Sequence, residues 1–179
     1  VGSEATAGSA GPARQFDELY SRHFDFVWRL VRRLGVHESN VDDAVQDVFL
    51  VVYRRLGDFQ HRSSERTWIA GIAVRVASDE RRRVRRKGGL DELDEQVSDG
   101  RADPHGAAVQ SEARRRFARV LERLDVDRRE IFVLAELEQM TAPEISEALG
   151  VKLNTVYSRL RLARQQFEEA LGNERRQER

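Results

Sequence analysis

The side chains that usually perform catalysis are sparse in this 179-residue chain. It has no cysteine, which excludes thiol nucleophiles, disulfides and Cys-ligated zinc or iron–sulfur centres. His23, His37, His61 and His105 are scattered, with no two at metal-ligand spacing. Carboxylates are plentiful, but none lies in a stretch apolar enough to raise its pKa for proton transfer. No glycine-rich phosphate loop occurs, and no serine neighbours a candidate base. The sequence therefore predicts no catalytic residue, no metal site and no cofactor. The spacing that does carry chemistry is cationic. From Lys152 to Arg164 there are four cations and no acid, whereas residues 136–147 hold four acids and no cation. Over residues 60–90 nine cations face three acids. Both runs suit contact with phosphates, where released counterions supply affinity.

These charges are hidden in the total, because 31 basic residues balance 31 acidic ones. Residues 1–90 hold 16 basic and 12 acidic residues, residues 91–112 hold 1 and 7, and residues 113–179 hold 14 and 12. The elements that must carry them read as helices throughout. Phe16, Leu19, Tyr20, Val27, Leu30, Val31 and Leu34 recur mainly at three, four and seven, one helical face that Gly35 can stop. A second helix begins after Ser39 or Asn40, with Asp42 and Asp43 where the helix dipole favours anions. It buries Val41, Ala44, Val45, Val48, Phe49, Val52 and Leu56, and Gly57 ends it. A third runs from about Thr67 to Arg86. Ile69, Ile72, Ala73, Val76, Ala77 and Val84 form its core side; Gly71, Arg75, Ser78, Arg82 and Arg85/Arg86 lie opposite, as a cationic stripe. It closes on six cations in the seven residues from Arg81 to Lys87.

Farther on, Phe117, Val120, Leu121 and Leu124 mark one short helix, and Ile131, Phe132, Leu134 and Ala135 another. Thr141 caps a third, with Glu144 at capping-box spacing. Gly150 turns the chain, and Val156, Leu160, Ala163, Phe167 and Leu171 line a last helix. No strand-like alternation appears. The prediction is an all-α fold of two small helical domains, 15–87 and 111–172, joined by a flexible acidic linker over 88–110. Residues 1–14 read as a disordered leader and 173–179 as a flexible tail. No apolar run approaches the roughly 18 residues of a membrane span, and no basic-then-apolar signal opens the chain. A soluble, cytoplasmic protein is expected.

Within this frame, residues 141–164 have the helix-turn-helix layout. Ile145, Leu149, Val151, Val156 and Leu160 would pin the pair, leaving Lys152, Asn154, Thr155, Tyr157, Ser158, Arg159, Arg161 and Arg164 to face a DNA groove. Periodicity assigns Trp68 to core packing rather than base stacking. Asp43, Gln46, Asp47 and Tyr53 are not needed for the core of their helix. They form either a protein-binding row or a solvated face.

Taken in order, these segments resemble a bacterial RNA polymerase sigma factor of the extracytoplasmic-function (ECF) class. FDELYSRHFDFVWRLVRRL looks like the opening helix of region 2. In VDDAVQDVFLVVYRRLGDF the family's D-x-x-Q-[ED]-x-F pattern falls on Asp43, Gln46, Asp47 and Phe49. RTWIAGIAVRVASDERRR is similar to the segment that reads and opens the −10 element, and residues 121–164 are similar to region 4. The chain departs from the family at Arg75, where Asn is usual, at Asp125, where Pro precedes the third region 4 helix, and at Lys152 and Tyr157.

The resemblance implies a promoter-specificity subunit. Asp43, Gln46, Asp47 and Phe49 would bind core polymerase through the clamp helices of its largest subunit, with the flap region as a further contact. His61, Arg62, Ser63, Ser64, Arg66, Trp68, Arg75, Asp79, Arg82, Arg83 and Arg86 would engage the −10 element. The helix from Lys152 to Arg164 would read the −35 element, with Tyr157, Ser158 and Arg161 toward bases and Asn154, Arg159 and Arg164 toward phosphates. An anti-sigma factor is an expected partner, and the linker is either a nucleic-acid mimic or a solvated tether. The competing readings are a freestanding helix-turn-helix regulator and an enzyme or small-molecule sensor built on the first domain.

Overall fold

The computed structural model describes residues 12–86 and 115–177, and these are helical with no strand. Of the predicted leader over 1–14, residues 1–11 fall outside the described residues, as does the predicted linker; residues 12–14 are not a disordered end but the first turn of a helix. Helix α1 (Pro12–Arg33) ends at Gly35, whose φ of 86° is left-handed. Helix α2 (Val41–Arg55) follows a short 3-10 turn at Glu38–Asn40. Asn40 holds the N-cap position, but its side chain does not cap; it donates to Glu80 of the next helix at 2.8 Å. Gly57 does not terminate α2 directly; it lies in a second 3-10 turn, Leu56–Asp58.

Helix α3 (Glu65–Arg86) starts two residues earlier than the periodicity predicts. Ser64 explains this: its hydroxyl accepts the Thr67 N–H at 3.1 Å, and its carbonyl accepts the Trp68 N–H. Helices α1, α2 and α3 pack pairwise around Val27, Leu30, Leu34, Val48, Val52, Ile69 and Ala73.

The second half holds α4 (115–122), α5 (Val126–Phe132), α6 (Ala142–Leu149) and α7 (Leu153–Gln177). Its core is Val120, Ile131, Leu134, Ile145, Val156 and Ala163. The tail predicted as flexible from 173 is helical to Gln177. Glu174 is buried and pairs with Arg123 at 2.5 Å and Arg119 at 3.6 Å, which ties the end of α7 to α4. After α5 the chain widens into a π turn at Val133–Leu137. The extra residue in that turn sets Glu138, but not Glu136, toward the first half of the molecule.

The two halves share one buried cluster. Helix α6 lies on α3, so α3 buries Ala70, Gly71 and Val74 in addition to its predicted core side. The stripe assigned to solvent at Gly71 is thus covered. A Cβ on Gly71 would collide with the carbonyl oxygen of Ala148, so only glycine lets these backbones touch.

The helix-turn-helix is built by local chemistry. The Thr141 hydroxyl accepts the Glu144 N–H, and the Glu144 carboxylate accepts the Thr141 N–H at 2.8 Å. Gly150 closes α6 with a φ of 66°. Thr141→Ala is expected to cost about 1 kcal/mol in a denaturant melt. The Glu144 carboxyl is held below the ordinary glutamate range, first by the Thr141 N–H and then by its hydroxyl. A depressed carboxylate contributes stability above its unfolded pKa and loses it as pH falls through the folded value. Glu144→Gln is therefore expected to flatten the acid limb of the stability profile below the glutamate range.

Candidate functional site

Three surfaces gather the predicted residues. The first is a cleft between α1 and α2 of about 500 Å³, walled by Phe16, Tyr20, Phe24, Phe49, Leu50 and Tyr53 and rimmed by Asp42, Asp43 and Gln46. Its rings interlock: Tyr20 and Phe49 lie 4.6 Å apart, and Phe16 and Tyr53 5.1 Å in an edge-to-face pair. Aromatic pairs of this geometry keep large apolar area rigid. Tyr53 is 56% exposed and Leu50 45%, so the cleft is open and apolar at its mouth. Asp43 and Gln46 sit on this rim and Phe49 on its floor. Asp47 is exposed but does not line the cleft. Sequence reasoning placed Phe16 and Tyr20 in the core and missed the wall. The available signal was an excess of rings, on two consecutive helices, beyond what a three-helix core can bury.

The second surface is the loop before α3 with the helix itself. Phe59 stacks on Trp68 at 4.7 Å and meets His61 at a tilt at 4.5 Å, and His61 takes a left-handed φ of 52°. Trp68 is half-buried against the core, in line with the core assignment. Arg62 and Arg75 are exposed. Arg66 is not free: it donates to the Glu138 carboxylate at 3.1 Å and to the Glu138 carbonyl at 2.8 Å. Toward the C-terminus, Arg82 bonds Asp79 and Ser78, Arg83 pairs with Glu80 at 2.8 Å, and Arg86 is exposed. Asp79, Arg82, Arg83 and Arg86 thus form one exposed, partly neutralised patch.

The third surface is α7. Lys152, Asn154, Tyr157, Ser158 and Arg161 are exposed on or just before its first turns. Thr155 is half-buried. Arg159 and Arg164 are engaged within the same half, by Asp127 at 2.7 Å and Glu136 at 2.7 Å. Behind this face, Ser146 donates to the Val151 carbonyl at 2.6 Å and fixes the turn.

Charged groups also bridge the halves. Arg33 reaches Glu138 at 2.5 Å, and Arg81 reaches Glu130 at 3.0 Å. Burial pushes Glu130 up from the ordinary glutamate range, and Arg81 opposes that shift. Burial lowers Arg129, and the like charge of Arg81 lowers it further. Among the described residues no cluster of His, Asp and Glu could hold a metal ion.

A helical bundle with an open aromatic cleft is thus followed along the chain by a helix-turn-helix. The family description "Sigma-70 region 2" matches residues 19–87, and "Sigma-70, region 4" matches residues 114–167. The chain is 34% identical to the RNA polymerase sigma factor CnrH of Cupriavidus metallidurans, over 89% of this chain and 88% of that one. It is 31% identical to the ECF sigma factor SigM of Mycobacterium tuberculosis, over 91% and 80%. The fold matches the structure of CnrH in complex with the cytosolic domain of CnrY, with a TM-score of 0.69, 26% identity and 91% of each chain covered. The chain belongs to the sigma-70 family of RNA polymerase sigma factors, in the ECF class. Proteins of this family direct transcription initiation at promoters and are not enzymes.

The Arg164–Glu136 pair is a surface ion pair and holds the cation only weakly. Glu136→Gln is expected to release Arg164 to a phosphate. Titration of a random-sequence duplex should then show the slope of log K against log salt steepening by about one.

Proposed function

We propose that the three surfaces divide the work of promoter-directed initiation among them. The α1–α2 cleft docks on core polymerase, on the clamp helices of the largest subunit. An amphipathic helix with aliphatic residues for the ring walls and cations for Asp42 and Asp43 suits its shape and charge. Asp43, Gln46 and Phe49 contribute directly, and Asp47 contributes through charge. Region 4 adds the flap contact. The observation that carries this reading is the open aromatic cleft with a carboxylate rim, in a chain that also presents a cationic recognition helix.

The loop at 59–64 with Trp68, Arg66 and Arg75 then engages the −10 element. Extruding a base costs a few kcal/mol, which stacking and hydrogen bonds in a pocket must offset. The Phe59–Trp68 stack and the polar groups of His61, Arg62, Ser63 and Ser64 supply both. Asp79 positions Arg82, while Arg82, Arg83 and Arg86 hold phosphates and add little sequence readout. The exposed face of α7 enters the major groove at the −35 element. Tyr157, Ser158 and Arg161 are directed to bases. Lys152, Asn154, Thr155, Arg159 and Arg164 are directed to the backbone, the last two after leaving Asp127 and Glu136.

This chain acts without catalysis of its own, in the cytoplasm. No helix among the described residues is long and apolar enough to cross a membrane. An anti-sigma factor is its expected regulator: the CnrH structure holds the cytosolic domain of CnrY, and an open apolar cleft is a ready site for such a partner.

Run-off transcription on a fragmented genomic template tests the whole. Core polymerase with this protein should start at discrete sites that core alone does not use. Asp43→Arg and Tyr53→Ala are expected to lower core affinity at least tenfold in a pull-down. Tyr53→Ala gives up its edge-to-face contact with Phe16, and Asp43→Arg puts a cation in the first turn of α2, so each should cost about 1 kcal/mol of stability while circular dichroism shows both folded. Unchanged core affinity in both would overturn the docking assignment. Arg161→Ala should lower initiation only on templates that retain a −35 element.

A further inference from the structure

We infer that Leu153 and Tyr157 form an apolar ridge that reads the C5-methyl groups of thymines in the −35 element. This rests on the promoter reading above and names a base feature that the reading leaves open.

The first observation is where apolar surface is left uncovered. Five large apolar or aromatic side chains are exposed among the described residues. Tyr20, Leu50 and Tyr53 belong to the α1–α2 cleft. The other two are Leu153, 38% exposed, and Tyr157, 55% exposed, and both stand in the first two turns of α7. A single apolar residue on a surface is ordinary, whereas two neighbours on one helix face mark a contact.

The second is placement. Val156, Leu160 and Ala163 are buried and turn their side of α7 toward the core. Leu153, Tyr157 and Arg161 follow one another at steps of four, so they rise along one ridge by about 6 Å per step. Base pairs succeed one another every ~3.4 Å, so members of the ridge meet different pairs. In a helix-turn-helix the N-terminal residues of the second helix contact base edges. Leu153 is the first residue of that helix.

The third is charge. Lys152, just before the ridge, and Arg161, at its far end, are exposed and make no hydrogen bond or ion pair with another described residue. No acid lies between them. An apolar ridge flanked only by free cations suits a polyanion. The Lys152 carbonyl accepts the N–H of Thr155 and of Val156, but its side chain has no acceptor to cap the helix start. A DNA phosphate can serve the first-turn N–H groups instead, which seats Leu153 at the edge of the groove.

The fourth is chemistry. The apolar feature that distinguishes a base in the major groove is the thymine methyl. The Leu153 side chain has no hydrogen-bonding atom, so its gain in the groove comes from that methyl. Tyr157 offers a ring to a second methyl, and its hydroxyl, bonded to no other described residue, stays free for water or phosphate. Tyr157 is also a position at which the chain departs from its family, so this selectivity belongs to the chain itself.

Deoxyuridine lacks only the methyl of thymidine, so the decisive change can be made in the DNA with the protein intact. Core polymerase with the full-length chain transcribes a fragmented genomic template, and one promoter so mapped is resynthesised with each −35 thymine replaced in turn by uracil. Uracil at two positions should lower initiation at subsaturating holoenzyme by about fourfold each, the worth of one buried methyl. Leu153→Ala should lower initiation on the thymine template by a similar factor and remove the uracil response at one of the two positions. Tyr157→Ala should do the same at the other, because side chain and methyl form one contact and their losses do not add. Circular dichroism checks both variants, and the uracil series on the unaltered protein decides even where one fails to fold. A promoter that needs its −35 element but shows no uracil response overturns the ridge and leaves the promoter reading standing. A uracil response that persists in both folded variants assigns the methyls to other residues or to DNA shape, and also overturns it. If core polymerase with this chain gives no discrete starts, the promoter reading fails and the ridge with it.

Discussion

A carboxylate cut off from water is tolerated only where cations complete it, and in this protein that constraint organises the tertiary structure. Glu138 sits at the end of the wide turn that follows α5. Its partners, Arg33 on α1 and Arg66 on α3, lie 105 and 72 residues earlier in the chain. Satisfying one buried acid therefore brings together the ends of three elements from both halves. Once Glu138 is held, α6 is laid along α3, and Gly71 allows the two backbones to meet at Ala148. Arg81, bonded to Glu130 and to the Leu34 carbonyl, fixes the other end of the seam.

Helix α3 consequently works as two helices in series. Its first half is clothed on both sides: Ile69, Ile72 and Ala73 face the region 2 core, while Ala70, Gly71 and Val74 are covered from the region 4 side. Small residues on that second side keep the approach close at little apolar cost. Its second half leaves Arg82, Arg83, Arg85 and Arg86 exposed. One continuous cationic stripe is thereby divided into a covered segment near the −10 loop and an open segment that can attract phosphate at a distance.

Much of this was readable beforehand. The capping box at Thr141 and Glu144, the left-handed Gly35 and Gly150, and the charge contrast between residues 136–147 and α7 all appear where the sequence places them. The aromatic cleft was not read. Phe16 and Tyr20 fit a core stripe by periodicity, and only the position of α2 shows that their rings meet Phe49 and Tyr53 at the surface. The start of α3 was misplaced because Ser64 was given a loop role, although its hydroxyl is the cap. The predicted free tail failed for a long-range reason, the pairing of Glu174 with Arg119 and Arg123.

Helix number, helix type, turns and caps follow from the amino-acid sequence alone, because each depends on residues within four or five positions of one another. The family follows too, because its motifs are short and ordered. Tertiary structure decided which cations are free, which are spent on carboxylates, and which side of α3 is covered. Periodicity reports that a residue faces inward or outward from its own helix. The identity of the distant element that then faces it is set by packing and charge pairing among all the helices at once.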